Sequence, residues 1–507
     1  MARASVFRME SRNNVYFAAG FHEAVFALSA PKSVKESGDQ GHAFILTVPP
    51  MLLTETAPVS SPTQLRMSDL ISALSYALDL TEGQPMGHAV KSCLLSMRLA
   101  EILQLTMEQK SDLYYATLLK DTGCSSNAAR MYEILGGDER KAKQEIKATD
   151  WTRVSFEGLE YLLRNVMPGR SRLERVFAIA SVATSRDAQT RELIGMRCDR
   201  GAQIARKIGF SEAMSAAIYS LDEHWNGKGF PEGRKAGDIP LISRIMNLCQ
   251  TLEVFVTLNG VHDAFQVLRD RSGTWFDPEL VKAAAELEND QELWKIIQED
   301  RVREEVIGLE PVGGLLYVDE AGLDNVCEAF ANVIDIKSPY THTHSRGVTS
   351  VAVAICQRLS LTDDEVRLVR RAALLHDIGK LSVPNNILDK PGKLTAMEWE
   401  TVRLHPYYTQ RILERIHGFQ HLAFVASSHH ERLNGSGYFR NLQGAQIPMS
   451  SRAIAVADVY DALSSKRPYR AALPRSEVFR IMSADVPLAL DGDCFAALKS
   501  LDLSDGK

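Results

Sequence analysis

The sequence predicts an all-α fold built as two related helical bundles in tandem, and three observations predict it. Apolar residues recur every three or four positions over long stretches such as Ser68 to Leu80 and Lys91 to Leu105, with few β-branched runs. Blocks of the chain match one another at constant offsets, the mark of an internal repeat. At 507 residues the chain is also too long for one ordinary core, given roughly 100 to 200 residues per domain.

Taken in order, residues 1 to 65 read as a poorly ordered N-terminal arm that includes the linker-like Ala57-Pro-Val-Ser-Ser-Pro62. Residues 66 to 285 form the first bundle. Residues 286 to 324 read as a connecting helix, with charged residues around Trp294 and Ile296-Ile297, followed by a hinge at Pro311-Val-Gly-Gly314. Residues 325 to 485 form the second bundle, and 486 to 507 a C-terminal tail.

The repeat rests on particular matches. Met86-Gly-His-Ala-Val-Lys-Ser92 lies 256 residues before His342-Thr-His-Ser-Arg-Gly-Val348, and Ala116 to Gly123 falls under Ala372 to Gly379 at the same offset. Further on the offset becomes 208, with Asn226-Gly-Lys-Gly-Phe230 under Asn434-Gly-Ser-Gly-Tyr438 and Arg244 under Arg452. The difference implies 48 extra residues in the first copy, between Cys124 and Arg197.

Composition narrows the function. A net charge of −6 gives no reason to expect a nucleic-acid polymer as partner. No run reaches the roughly 18 continuous apolar residues of a membrane span, and charged residues interrupt the first thirty positions, so neither a span nor a secretory signal is expected. The cytoplasm is the expected compartment. Seven scattered cysteines, none at CxxC spacing, read as reduced and mostly buried thiols.

The second copy concentrates imidazoles and carboxylates: eight of thirteen histidines lie between His342 and His430. His376-Asp-Ile-Gly-Lys380 follows the apolar Ala372-Ala-Leu-Leu375. Neighbouring side chains on a helix diverge by about 100°, so this His-Asp pair suits two adjacent metal ions, or one at a slanted edge, better than a hydrogen-bonded dyad. His429-His430-Glu431 forms a second dense point before Gly435 and Gly437, and His344, His405 and Asp458 complete a mixed nitrogen and oxygen set suited to Fe, Mn or Zn. Trp225 and Trp399 read as packing residues.

Lys337-Ser-Pro-Tyr-Thr-His-Thr-His-Ser345, HDIGK at 376 to 380, His405-Pro406, HHERLNGSGYF at 429 to 439, and ADVYDAL at 457 to 463 with Arg467-Pro-Tyr469 resemble the HD-GYP family in order and spacing. That resemblance implies a compact helical bundle that hydrolyses cyclic di-GMP or cyclic GMP-AMP with iron or manganese. It implies His344, His376, Asp377, His405, His429, His430 and Asp458 as metal ligands, Asp377 as the bridging one, and Lys380 as a phosphate contact. Two adjacent divalent ions acidify a shared water and hold phosphoryl oxygens for in-line attack. The loop departs from the family pattern, with Phe439 in place of proline and Asn434 in place of aspartate. Tyr340 stands where three-metal members carry glutamate, so two divalent ions are expected.

In the first copy the equivalent positions hold His88, Lys120, Asp121, Arg197, Leu221, Asp222 and Gln250, with Cys124 for Lys380. Two cations at ligand positions repel a metal ion, so this copy is expected to be degenerate, with a dimerisation, regulatory or ligand-sensing role left open. The leading function is hydrolysis of a cyclic dinucleotide. The alternatives are an HD-type nucleotide phosphohydrolase and a signalling scaffold that binds without turnover, either one open to homodimer or signalling-protein partners.

Overall fold

The computed structural model describes residues 65–502, apart from 149–155, 168–170, 172, 177, 180–185, 300, 312–315 and 467–469. The expected arm up to residue 64, most of the expected hinge, Arg467-Pro-Tyr469 and residues 503–507 lie outside the described residues.

The principal helices of the first bundle are α1 (Met67–Thr81), α2 (His88–Ile102), α3 (Met107–Leu119), α4 (Glu139–Ala148), α5 (Arg186–Ile208), α6 (Glu212–Tyr219) and α7 (Leu241–Asn259). The connecting segment holds α8 (Gln291–Gln298) and α9 (Val302–Gly308). The second bundle contains α10 (Glu320–Asp335), α11 (His344–Arg358), α12 (Asp363–Leu375), α13 (His405–Leu413), α14 (Gln420–Ser427), α15 (Met449–Ser464) and α16 (Gly492–Ser500). The sheet among the described residues is a two-stranded one, β1 (Leu65–Arg66) antiparallel to β2 (Tyr317–Val318), with Leu65 opposite Val318.

The repeat is visible helix by helix. α2 and α11 start and end 256 residues apart, as do α3 and α12, while α6 and α14 are 208 apart at both ends. Local signals repeat with them. Thr106 with Gln109 and Thr362 with Glu365 form reciprocal capping boxes at the starts of α3 and α12. Asp79 accepts hydrogen bonds from the Gly87 and Ala89 amides at the start of α2, and Asp335 accepts from the Ser345 amide and hydroxyl at the start of α11. A carboxylate at a helix N-terminus satisfies orphan donors and meets the positive end of the helix dipole.

The bundles exchange contacts through their first helices. α1 packs on α2 and α3 but also on the Ile378–Ser382 turn and α13, whereas α10 packs on α11, α12 and α5. One apolar core therefore runs through both halves, from Leu70 and Leu74 to Phe330 and Leu375. Arg415 lies 4.0 Å from the ring centre of Tyr76 across this seam, and Lys207 pairs with Glu328 at 3.1 Å.

Two expectations change. Residues 492–500, expected within a tail, form α16, which packs on α11 and α15 and buries Cys494, Phe495 and Leu498. Asp491 starts it by accepting from the Asp493 and Cys494 amides, a cap followed by too short an apolar stripe to stand out in sequence. The connecting segment is two short helices, and its end is anchored in the first bundle, where buried Glu310 accepts from Ser68 Oγ at 2.7 Å and from the Tyr115 hydroxyl. α7 is long and apolar enough by length and composition to cross a membrane, and it is mostly buried, packed on α2. The extra residues of the first copy add Ala128–Leu135, α4 and Phe156–Asn165, with a small core of Met131, Leu135, Ala142 and Val166.

Candidate metal centre

Each proposed ligand sits where a helix starts, stops or turns inward. His344 is the first residue of α11 and His405 the first of α13; His429 and His430 follow the end of α14; Asp458 lies within α15. α12 ends at Leu375, and after Asp377 the chain tightens into a 3-10 turn over Ile378–Ser382. His376 keeps α-helical backbone angles as the cap of α12, and its Nε2 lies 3.3 Å from Asp377 Oδ2 without a hydrogen bond. Lys380, expected one α-helical turn beyond His376, turns back and donates to Asp377 Oδ2 at 2.6 Å. Gly379 allows the turn to lie against α13, since a Cβ there would stand 1.9 Å from the His405 carbonyl oxygen. Thr409 Oγ1 donates to the His376 carbonyl at 2.9 Å and accepts from the Gly379 amide at 3.1 Å.

All seven proposed ligands converge. Nitrogen and oxygen atoms of His344, His376 and Asp458 lie within 4.8 Å of one another, as do those of His405, His429 and His430. Asp377 stands between the two groups. Its Oδ2 is 3.4 Å from His344 Nε2 and 3.3 Å from His376 Nε2, and its Oδ1 is 3.3 Å from His405 Nε2 and 3.8 Å from His429 Nε2.

The outer hydrogen bonds set the tautomers. His376 Nδ1 donates to the Ala373 carbonyl at 2.6 Å, His405 Nδ1 to Val402 and His429 Nδ1 to Ala426, both at 2.7 Å. A carbonyl only accepts, so in the neutral rings the proton is on Nδ1 and the Nε2 lone pair faces inward. His344 Nδ1 lies 2.7 Å from Asp461 Oδ2. Between His405 Nε2 and His429 Nε2, 3.2 Å apart, no proton is left to share. His344 Nε2, His376 Nε2 and Asp377 Oδ1 are buried without a hydrogen-bond partner. Inward lone pairs without donors fit divalent cations.

Electrostatics hold Asp377, His429 and His430 in the deprotonated form a metal ion needs, and His344 in the protonated form. Burial, then the adjacent imidazoles, holds His429 and His430 well below the usual histidine range. Burial opposes ionisation of Asp377, but His376 and Lys380 outweigh it and keep the carboxylate charged. For His344 burial is outweighed by Asp377, Asp458 and Asp461, which raise its affinity for a positive charge.

The glycine-rich loop covers one side. Tyr438 lies against His430 with ring centres 4.4 Å apart, and the Arg403 guanidinium sits 5.2 Å from the Tyr438 ring centre. Trp399, read as a packing residue, meets Tyr438 edge-on at 6.4 Å. Glu431 is a loop anchor, accepting from the Arg440 and Leu442 amides at 3.2 and 2.9 Å. Sequence reasoning gave no role to Asp461, Arg403 or Glu431; the one usable signal was that Asp461 is three residues beyond Asp458, on the same helical face.

In the first bundle resident cations stand where the second has inward lone pairs. Buried Lys120 bonds to Asp121, Arg197 to Asp222, and His88 to Glu253, the counterpart of Asp461. Glu82, Asp121 and Cys124 also lie close together, but Lys147 reaches Glu82 at 3.0 Å and Asp121 at 3.7 Å, and burial holds the Cys124 thiol protonated. This group lacks the ligand character of the second.

A family model described as HD domain matches residues 175–280 and 328–493. A 3'3'-cGAMP-specific phosphodiesterase of Vibrio cholerae, number 3, is 41% identical over 433 residues, covering 85% of this chain and 94% of that protein. Number 1 of the same organism is 34% identical over 228 residues, 44% of this chain and 52% of its own length. A cyclic di-GMP phosphodiesterase of Thermotoga maritima is 39% identical over 160 residues, 31% of this chain and 44% of that one. The crystal structure of a cyclic GMP-AMP specific phosphodiesterase of V. cholerae superposes with a TM-score of 0.61 at 38% identity, covering 86% of this chain and 97% of that one.

Proposed function

Because this chain belongs to the HD domain family, in its HD-GYP branch, we propose that it is a metal-dependent phosphodiesterase whose second bundle hydrolyses a cyclic dinucleotide, cyclic GMP-AMP foremost. The observation that carries this reading is the seven-ligand cluster in a chain whose 41% identity to a 3'3'-cGAMP-specific phosphodiesterase extends through both bundles. We assign His344, His376 and Asp458 to one ion and His405, His429 and His430 to a second, with Asp377 between them, and iron or manganese as the metals. When bound, such ions supply Lewis acidity to a water and to the phosphoryl oxygens.

The chain's own groups do the rest. Asp461 and the Ala373, Val402 and Ala426 carbonyls orient the imidazoles. Lys380, the partly exposed cation beside Asp377, neutralises charge on the phosphoryl group as it is attacked. Tyr438, held between His430 and Arg403, walls the site and limits water. The cytoplasm is the compartment we propose.

The test is turnover of cyclic GMP-AMP and cyclic di-GMP by anaerobically purified chain loaded with iron or manganese, against the double variant His376→Ala, Asp377→Ala. Loss of ligands should cost more than the roughly 100-fold attached to outer-shell partners alone. Metal-loaded protein that cleaves neither dinucleotide would refute the substrate, and absence of metal binding would refute the centre.

A further inference from the structure

The degenerate bundle contains a cavity of about 140 Å³ at the place that corresponds to the metal centre. Its wall includes Arg197, Asp222 and Gln250, the counterparts of His405, His430 and Asp458. The rest comes largely from residues the second bundle lacks or replaces: Lys143 and Lys147 on α4, and Thr190 on the extended N-terminal part of α5. Trp275 adds an aromatic wall, stacked on His224 at 4.0 Å with the Arg271 guanidinium at 4.3 Å.

Two features indicate the occupant. Lys143, Lys147 and Arg197 line the cavity already paired, the two lysines with Glu82 at 3.3 and 3.0 Å and Arg197 with Asp222, so three lining cations against two lining carboxylates leave one positive charge in excess. The volume, below the roughly 300–1,000 Å³ of pockets for drug-sized ligands, encloses one phosphoryl group with part of one ring, so a nucleoside monophosphate seated phosphate-first would leave its base at the open mouth and a cyclic dinucleotide would stay largely outside.

The same helix touches the catalytic half. Glu139, Lys143 and Lys147 are spaced four apart and share one face of α4. At its start buried Glu139 accepts from Lys337 Nζ at 3.3 Å and from the Asn385 amide at 2.9 Å, while Arg140 donates to the Ser382 carbonyl. Ser382 and Asn385 follow directly on the HDIGK turn, and Lys337 lies two residues beyond Asp335, which caps the helix bearing His344. A ten-residue helix spans about 15 Å, so one rigid element links the cavity to the neighbourhood of two of the five segments that carry proposed metal ligands.

We propose that the cavity of the first bundle is a regulatory site for a nucleoside monophosphate, phosphate inward, and that α4 transmits its occupancy to the HDIGK segment. A nucleoside monophosphate is also what complete hydrolysis of a cyclic dinucleotide yields, so the site would sense product; that link, unlike the binding, rests on the proposed function.

The test uses the full chain carrying Asp377→Ala and treated with chelator, which disables the catalytic centre. GMP, AMP and inorganic phosphate are titrated calorimetrically. A nucleotide should bind about tenfold more tightly than phosphate, and Lys147→Ala, or Thr190→Trp filling the cavity, should each weaken it at least tenfold. Hydrogen exchange of residues 382–389 should slow on binding, and Arg140→Ala should abolish that slowing while leaving affinity within twofold. Absence of binding, affinity unchanged in both cavity variants, or phosphate binding as tightly as nucleotide overturns the site. Binding without any change in exchange at 382–389 overturns the transmission. These readouts involve no turnover, so a failure of the proposed hydrolysis is seen separately.

Discussion

Asp461 shows how a residue that touches no reactant can govern a centre. Its carboxylate at 2.7 Å holds His344 Nδ1, so the ring's other nitrogen is aimed at Asp377 and Asp458. Gly347 leaves room for it, since a Cβ there would meet Asp461 Oδ1 at 2.2 Å. Asp461→Asn should keep the fold, weaken metal binding by roughly 10- to 100-fold, and leave helix content by circular dichroism unchanged; metal affinity within twofold of wild type would remove Asp461 from this role. The convergence of the seven proposed ligands was legible in sequence because clustered buried histidines serve no ordinary core. Asp461 was not, because a carboxylate whose partner is another side chain leaves no spacing signal beyond its place on α15. Glu253 repeats the arrangement with His88, so the supporting pair is present in the first copy without the other proposed ligands around it.

At the scale of elements, the caps and the 3-10 turn carry the constraints. Gly379→Ala would drive a methyl group into the His405 carbonyl and part α13 from the HDIGK turn; the expected result is loss of bound metal together with a lower Tm, read by elemental analysis and calorimetry. Asp79 offers a pH test. Burial first, partly offset by Lys120, pushes its pKa up to about 7. An acid with a raised folded-state pKa favours the folded chain most when both states are protonated, and that advantage is lost as pH rises from about 4 toward 7. The Tm of wild type minus that of Asp79→Asn should therefore fall from pH 5 to about pH 7 and level off above it; a difference independent of pH would show that Asp79 stays ionised. α1 and α2 were legible through periodicity, as Ser68 to Leu80 and Lys91 to Leu105, each within about three residues of its observed ends. The end of α12 at the HDIGK motif was not, because the switch to 3-10 winding is imposed by the close approach of α13, a contact distant in sequence.

At the scale of the molecule, each bundle's first helix closes the other's core, so the halves should unfold together. Calorimetry of the metal-loaded chain should show a single transition over the described core, shifted upward by metal through mass action although the metal touches one half; two separated transitions would contradict the shared core. The tandem was legible from the fixed offsets, whereas the exchange of α1 and α10 was not, since apolar periodicity tells that a face is buried and not by which partner. That exchange also bears on descent. Once two copies of a bundle had been fused with their first helices crossed over, deleting either would strip the other of a wall. A copy without the metal-ligand set is in that arrangement still required as the wall of its neighbour, whatever its own centre binds.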